Sequence, residues 1–132
     1  MSQENVDFIR QSIRRFADRD FEGLRKDYSP SAVLYAPEGW PDGAVFDGRD
    51  AIVRQFSRLQ EDWQQQDMTP GRIEGHRNWV VVELRWEASG AGSGVPTKMT
   101  VIGAYRIDAG RIAEARFFWD WDEALKAAGL SE

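Results

Sequence analysis

Trp79-Val80-Val81-Val82-Glu83-Leu84-Arg85-Trp86-Glu87-Ala88 decides the fold class of this chain. Val80, Val82, Leu84 and Trp86 fall on one side of an extended backbone, and Glu83, Arg85 and Glu87 on the other. That period of two predicts a strand with one face turned to a core. Downstream, Gly90-Ala91-Gly92-Ser93-Gly94 reads as a hairpin connection to a second strand over 99–107. It lacks the Lys and the following helix of a phosphate-binding loop. Asp108-Ala109-Gly110 is a tight turn, and 112–119 is a third strand. A closing helix spans 122–128, with Gly129 where a helix ends in the left-handed conformation.

Upstream the period changes. Val6, Ile9, Ile13 and Phe16 recur at steps of three and four, one apolar stripe of a helix. After Asp18-Arg19-Asp20, Phe21 and Leu24 mark a short second helix ending near Tyr28, and Ser29-Pro30-Ser31 blocks its continuation. A short strand over 32–36 stops at Pro37, and a turn-rich loop follows with Trp40 in its middle. Ile52, Phe56, Leu59 and Trp63 then define the clearest helix, with Thr69-Pro70-Gly71 closing that region. Helices grouped ahead of a three-stranded antiparallel meander predict a single α+β domain over 1–132.

Composition narrows the chemistry. A chain of 132 residues buries roughly two thirds of its unfolded surface, enough for a core without cross-links. No Cys is present, which excludes disulfides, Cys-ligated zinc, iron–sulfur clusters and thiol nucleophiles. A single His excludes a multi-His metal centre within one chain, so no metal and no cofactor is expected. Lys and Arg number 17 against 22 Asp and Glu, with no basic block, which argues against nucleic acid as a partner. No apolar run approaches the roughly 20 residues that span a bilayer, and the polar, helical N-terminus resembles no export signal. The expectation is a cytoplasmic protein without a membrane partner.

Four groups of residues carry possible chemistry. His76 sits in polar turn sequence, Glu74-Gly75-His76-Arg77-Asn78, where an exposed turn position competes with a general base. Asp120 follows the aromatic run Phe117-Phe118-Trp119, surroundings that raise a carboxyl pKa and suit an acid or base. Equally, Asp120 with Glu123 three residues on forms a capping box for the last helix. Arg85 and Glu87 share a strand face as a pair orienting water would, but that face is opposite the core face and points to solvent or a partner subunit. The aromatic excess stands out: six Trp with Tyr28, Tyr35 and Tyr105 suit a ligand cavity or a subunit interface. Trp40, Trp63, Trp86, Phe117 and Trp119 are the candidate ligand-binding residues, with Tyr35 and Tyr105 as hydrogen-bond donors to a developing enolate.

Several motifs in this order resemble the nuclear transport factor 2-like superfamily, in its SnoaL-like branch. They are Arg19-Asp20-Phe21-Glu22-Gly23-Leu24, Phe46-Asp47-Gly48-Arg49-Asp50-Ala51-Ile52, Ser93-Gly94-Val95, Ala109-Gly110-Arg111-Ile112, Asp122-Glu123-Ala124-Leu125 and Ala128-Gly129-Leu130. The resemblance implies a curved, mixed and mainly antiparallel sheet wrapped as a cone round the N-terminal helices, with a pocket between them. It also implies a homodimer packed through the sheet. Family activities include ketosteroid isomerase, polyketide cyclase, epoxide hydrolase and dehydratase chemistry as well as non-catalytic binding, so the fold does not select among them.

Residue by residue, the resemblance removes candidates. The Tyr donor, base Asp and protonated Asp of ketosteroid isomerases fall at Ser12, Ala36 and Gly103. The Arg-x-Asp of limonene-epoxide hydrolases is only imitated by Arg85-Trp86-Glu87, and Phe117 holds the last-strand Asp position. The acid–base Asp of SnoaL-like cyclases falls close to Asp120, on the strand face opposite Trp119. The expected function is therefore binding of a small hydrophobic or aromatic molecule, with cofactor-free acid–base catalysis of cyclase, isomerase or dehydratase type through Asp120. The alternative is a non-catalytic ligand-binding or dimeric association module.

Overall fold

A computed structural model describes residues 2–40, 43–90 and 96–129. Helix α1 (Ser2–Ala17) and the short α2 (Phe21–Asp27) lead into β1 (Tyr28–Tyr35) and β2 (Val45–Asp47). Helix α3 (Arg49–Asp62) precedes four strands, β3 (Trp63–His76), β4 (Trp79–Gly90), β5 (Pro96–Asp108) and β6 (Arg111–Phe118), and α4 (Trp121–Ala127) closes the chain. The strands form one sheet in the order β2-β1-β6-β5-β4-β3. Among the described residues only the β1–β6 pair is parallel; the other pairings are antiparallel. This is the α+β architecture expected, a curled sheet around the N-terminal helices with a short C-terminal helix.

Local chemistry explains the α1–α2 corner. The Asp20 side chain accepts from the Gly23 backbone N–H at 2.9 Å and caps α2. A Cβ at Gly23 would run into the capping Asp20 carboxylate and lie 2.8 Å from Arg15 Cδ. Arg15 Nη1 then donates to both carboxylate oxygens of the buried Asp27, at 2.9 Å each. Further on, the Gly48 N–H donates to the Ala32 carbonyl at 2.8 Å and ties the start of α3 to β1.

The structure departs from the sequence expectation on one side of the sheet. Residues 63–76, expected as the end of a helix followed by a loop, form β3, and Trp63 opens that strand instead of extending the α3 stripe. Pro70 and Gly71 are tolerated there because β3 is an edge strand, and the register shifts between Pro70 and Ile73. The meander thus has four strands, not three. β1 also begins earlier than expected, at Tyr28, with a register shift between Tyr28 and Val33. The hairpin connection expected at 90–94 lies almost wholly outside the described residues. The turn at 108–110 is as expected, with Ala109 and Gly110 at φ 52° and 77°, the left-handed pair of a tight hairpin turn.

Both faces of the sheet are covered at β4. Val80, Val82 and Leu84 face the helices in the main core with Ile9, Ile13, Phe16, Ile52 and Ile112. Val81, on the opposite face, packs with Ile102 and Ala104 against Ala124 and Ala128 of α4. Three consecutive fully buried valines follow from this two-sided cover, each contributing roughly 1.5–3 kcal/mol relative to exposure.

Candidate functional site

Between the helices and the concave face of the sheet lies a cavity that opens to solvent. Its wall is built by position. Helix α1 contributes Ser12 and Phe16, α3 contributes Phe56 and Gln55, and the inward-pointing residues of β4 and β5 contribute Leu84, Trp86, Val101 and Tyr105. Trp40, from the loop after β1, and Phe117 of β6 also line it. Phe56 stacks edge-on to Phe16 at 5.3 Å and to Tyr28 at 5.8 Å, so the aromatic wall is continuous across three elements.

Tyr105 is buried and held edge-to-face against Phe117, with centroids 5.8 Å apart and planes at 88°. Its ring fills the space over Gly103, where a Cβ would lie 2.8 Å from Tyr105 Cε2 and 3.1 Å from Phe117 Cε1. The missing side chain at position 103 is therefore what lets Tyr105 fold against the strand. Burial pushes the Tyr105 phenol pKa far above its usual value. Tyr28 is raised likewise, by burial first and then by the nearby Tyr105 and Asp27. Both phenols therefore stay protonated at neutral pH.

Asp27 lies behind this wall. Burial raises its carboxyl pKa above the ordinary value, against the lowering effect of hydrogen bonds from Ser12 and Arg15. The carboxyl does not itself line the cavity, whereas Ser12 does. Ser12 and Tyr28 also line the cavity, though neither is among the ligand-binding or donor candidates chosen from the sequence. Their signal is present, since Ser12 falls within the α1 stripe between Ile9 and Phe16, where a polar side chain needs a reason.

Of the candidate residues, the structure brings Tyr105, Trp40, Trp86 and Phe117 together in this cavity. Tyr35 lies on the opposite face of β1, under the Arg116 guanidinium at 4.4 Å from its ring, beside a polar groove with Ser31, Arg106 and Glu114. Trp119 is 46% exposed and its indole donates to the Glu38 carbonyl at 2.9 Å. Asp120 is exposed and accepts from the Glu123 N–H at 3.2 Å as the N-cap of α4, the capping arrangement of the two read from the sequence. Trp63 opens β3, and its side chain is outside the described residues. Arg85 and Glu87 are exposed on the outer face, and His76 is exposed with Nε2 3.3 Å from Glu74 Oε1.

Among the described residues no carboxylate, His, Lys or Arg lines the cavity, and no cluster of three or more His, Asp or Glu suits a metal ion. Among the described residues no helix is long and apolar enough to cross a membrane.

The sequence profile of the SnoaL-like domain matches residues 9–115. No curated protein matches the sequence significantly. Among solved structures, an NTF2-like protein of unknown function from Burkholderia pseudomallei is similar at a TM-score of 0.78 and 18% identity, covering 92% of this chain and 95% of that one. IdmH of Streptomyces antibioticus, a candidate polyketide cyclase, gives 0.77 and 23%, over 95% and 98% of the two chains. An LEH-like epoxide hydrolase of M. tuberculosis gives 0.75 and 17%, over 96% and 92%. At these identities the likeness extends to the fold alone.

Proposed function

Because this chain belongs to the SnoaL-like domain family, we propose that its cavity binds a small apolar or aromatic molecule. The observation that carries the reading is the wall itself. It is a continuous surface of Phe, Trp, Leu, Ile and Met side chains broken by only a few hydroxyl and amide groups. Concave, mostly apolar and sparsely polar is the usual make-up of a small-molecule site.

A catalytic reading, of cyclase, isomerase or dehydratase type, has a narrower footing. Tyr28 and Tyr105 are buried donors suited to polarise a ligand oxygen. Removing a proton from carbon needs a base, and the described wall holds none. Binding is therefore the function the geometry supports best, with cyclisation or epoxide opening, the activities for which two of the similar proteins are named, as the second reading. A homodimer packed through the outer face of the sheet belongs to the same proposal, since Trp79 and Phe118 are half-buried there beside α4.

The test is calorimetric titration of p-cymene, a compact apolar aromatic, into the wild type and into Ala36→Phe. Ala36 lines the cavity without being fully buried, so the larger ring occludes it. Saturable binding that the variant loses, with its thermal midpoint retained, supports the reading. Equal heats from both proteins refute it. Sedimentation velocity across a concentration series checks the dimer, and a monomer throughout refutes that part.

A further inference from the structure

We propose that the cavity is divided along its strands into an end that holds an aromatic ring and an end that holds a flexible alkyl tail, so that the molecule taken is an alkyl-substituted aromatic. This rests on the cavity being a small-molecule site. The division follows from the register of the sheet. On β4, Trp86 stands opposite Met68 of β3 on one side and Met99 of β5 on the other, and all three line the cavity. Directly opposed residues on one face of a sheet are about 5 Å apart at Cβ, so the three form one thioether–indole–thioether row. Met68 and Met99 are the chain's only methionines besides Met1. Trp86 is 5% exposed, whereas both methionines are half-buried. An unbranched side chain with three rotatable bonds and room to move adapts to whatever lies against it.

The other end is built differently. Tyr105 lies six residues from Met99 along β5, about 20 Å of extended backbone. Its ring is packed edge-on to Phe117, with centroids 5.8 Å apart. Tyr28 belongs to the same end, because it pairs with Ile112 of β6, and Ile112 pairs with Ile107, two residues beyond Tyr105. From Tyr28 the edge-on chain continues to Phe56 at 5.8 Å and on to Phe16 at 5.3 Å. Rings interlocked in this way keep their places and offer edges and faces that match another ring. Between the two ends the floor consists of Leu84 and Val101, opposed in register and apolar. A ligand ring is received among Tyr105, Phe117, Tyr28 and Phe56. A chain leading from it runs over Leu84 and Val101 to the two methionines, which shift to follow its length.

4-Ethylphenol, 4-butylphenol and 4-hexylphenol keep one ring and one hydroxyl and lengthen only the tail. Calorimetric titration of each into the wild-type protein is expected to show affinity rising by about fourfold per buried CH₂, roughly 15-fold from one member to the next. Replacing both methionines, Met68→Ile with Met99→Ile, keeps the volume and suits a strand but stiffens each side chain at χ1. That variant should bind 4-ethylphenol within about twofold of the wild type and 4-hexylphenol about tenfold more weakly. A second readout needs no variant that alters the tail end: wild-type protein labelled with carbon-13 at the methionine methyl groups, its signals assigned by the two single Met→Ile changes. 4-Hexylphenol should shift the Met68 and Met99 methyl signals, and 4-ethylphenol should leave both in place. Equal affinity across the series overturns the division while leaving the cavity reading intact. Methyl shifts that are the same for the ethyl and hexyl compounds overturn it too, as does a hexyl gain undiminished in the double variant. Failure of all three compounds to bind refutes the cavity reading and the division with it.

Discussion

Gly103→Ala tests whether the missing side chain at the centre of β5 shapes the cavity. On backbone grounds alone the substitution stabilises, since replacing Gly by Ala inside a strand is worth roughly 0.5–1 kcal/mol. The structure predicts the opposite sign. The new Cβ would lie 2.8 Å from Tyr105 Cε2, 3.3 Å from Tyr105 Cζ and 3.1 Å from Phe117 Cε1. Carbon pairs prefer about 3.5–4.0 Å, so the Tyr105 ring must retreat by roughly 0.7 Å. It is buried and packed edge-on to Phe117, so no open direction exists except into the cavity. Overpacking of this kind costs about 1–3 kcal/mol. The net loss expected is about 0.5–2 kcal/mol, a fall in Tm of roughly 2–6 °C for a domain of this length. Urea denaturation of a double-mutant cycle isolates the cause. In a Tyr105→Val background the ring is gone, and Gly103→Ala should become stabilising by about 0.5–1 kcal/mol. A Gly103→Ala effect of the same sign and size in both backgrounds would refute the reasoning. So would a stabilised single variant.

Asp27 gives a pH signature. Its carboxyl pKa is raised in the folded state above 3.8, so the folded chain binds that proton more tightly than the unfolded one. The stability this group contributes is full below 3.8 and is lost as pH rises through the raised folded value. Across that window the wild type should lose stability relative to Asp27→Asn, measured by urea denaturation at a series of pH values; parallel curves would contradict the shift. Asp120→Ala removes the cap of α4 and should cost about 1 kcal/mol while leaving p-cymene affinity unchanged. A large loss of affinity at full stability would return Asp120 to the site. Phe56→Ala removes a ring that meets both Phe16 and Tyr28 and should cost about 3–5 kcal/mol, seen as a lower denaturation midpoint at unchanged slope.

How much was legible follows from how strongly each segment obeys one period. Val80, Val82, Leu84 and Trp86 alternate without interruption, so β4 and its inward face were readable, and with them Trp86 as a cavity residue. β3 was not readable. Gln64-Gln65-Gln66 carries no apolar alternation, Pro70 and Gly71 resemble a loop, and the register shift at Pro70 breaks the period in two. At its start Trp63 continues the four-residue step from Leu59, so local spacing favoured helix where pairing with β4 imposed strand. Tyr35 was misplaced by composition: it is aromatic, but Leu34 faces the core and alternation turns its neighbour outward. Trp119 has the parity of Phe117, yet β6 ends at Phe118 and the indole turns to the Glu38 carbonyl instead.

The six tryptophans therefore do not form one set. Trp40 and Trp86 line the cavity, while Trp79 and Trp121 pack on the opposite face around α4, with Arg72 4.2 Å over the Trp121 ring. An excess of aromatics can arise from a sheet that is covered on both sides as well as from a ligand site, and here both causes operate. The consequence for function is that the count of aromatics says little about ligand chemistry. The few polar groups say more, because in an apolar wall each must be matched or it costs binding energy. Ser12 illustrates this. It falls within the apolar stripe of α1 and lines the cavity, so a bound molecule must match its hydroxyl or leave it unpaired.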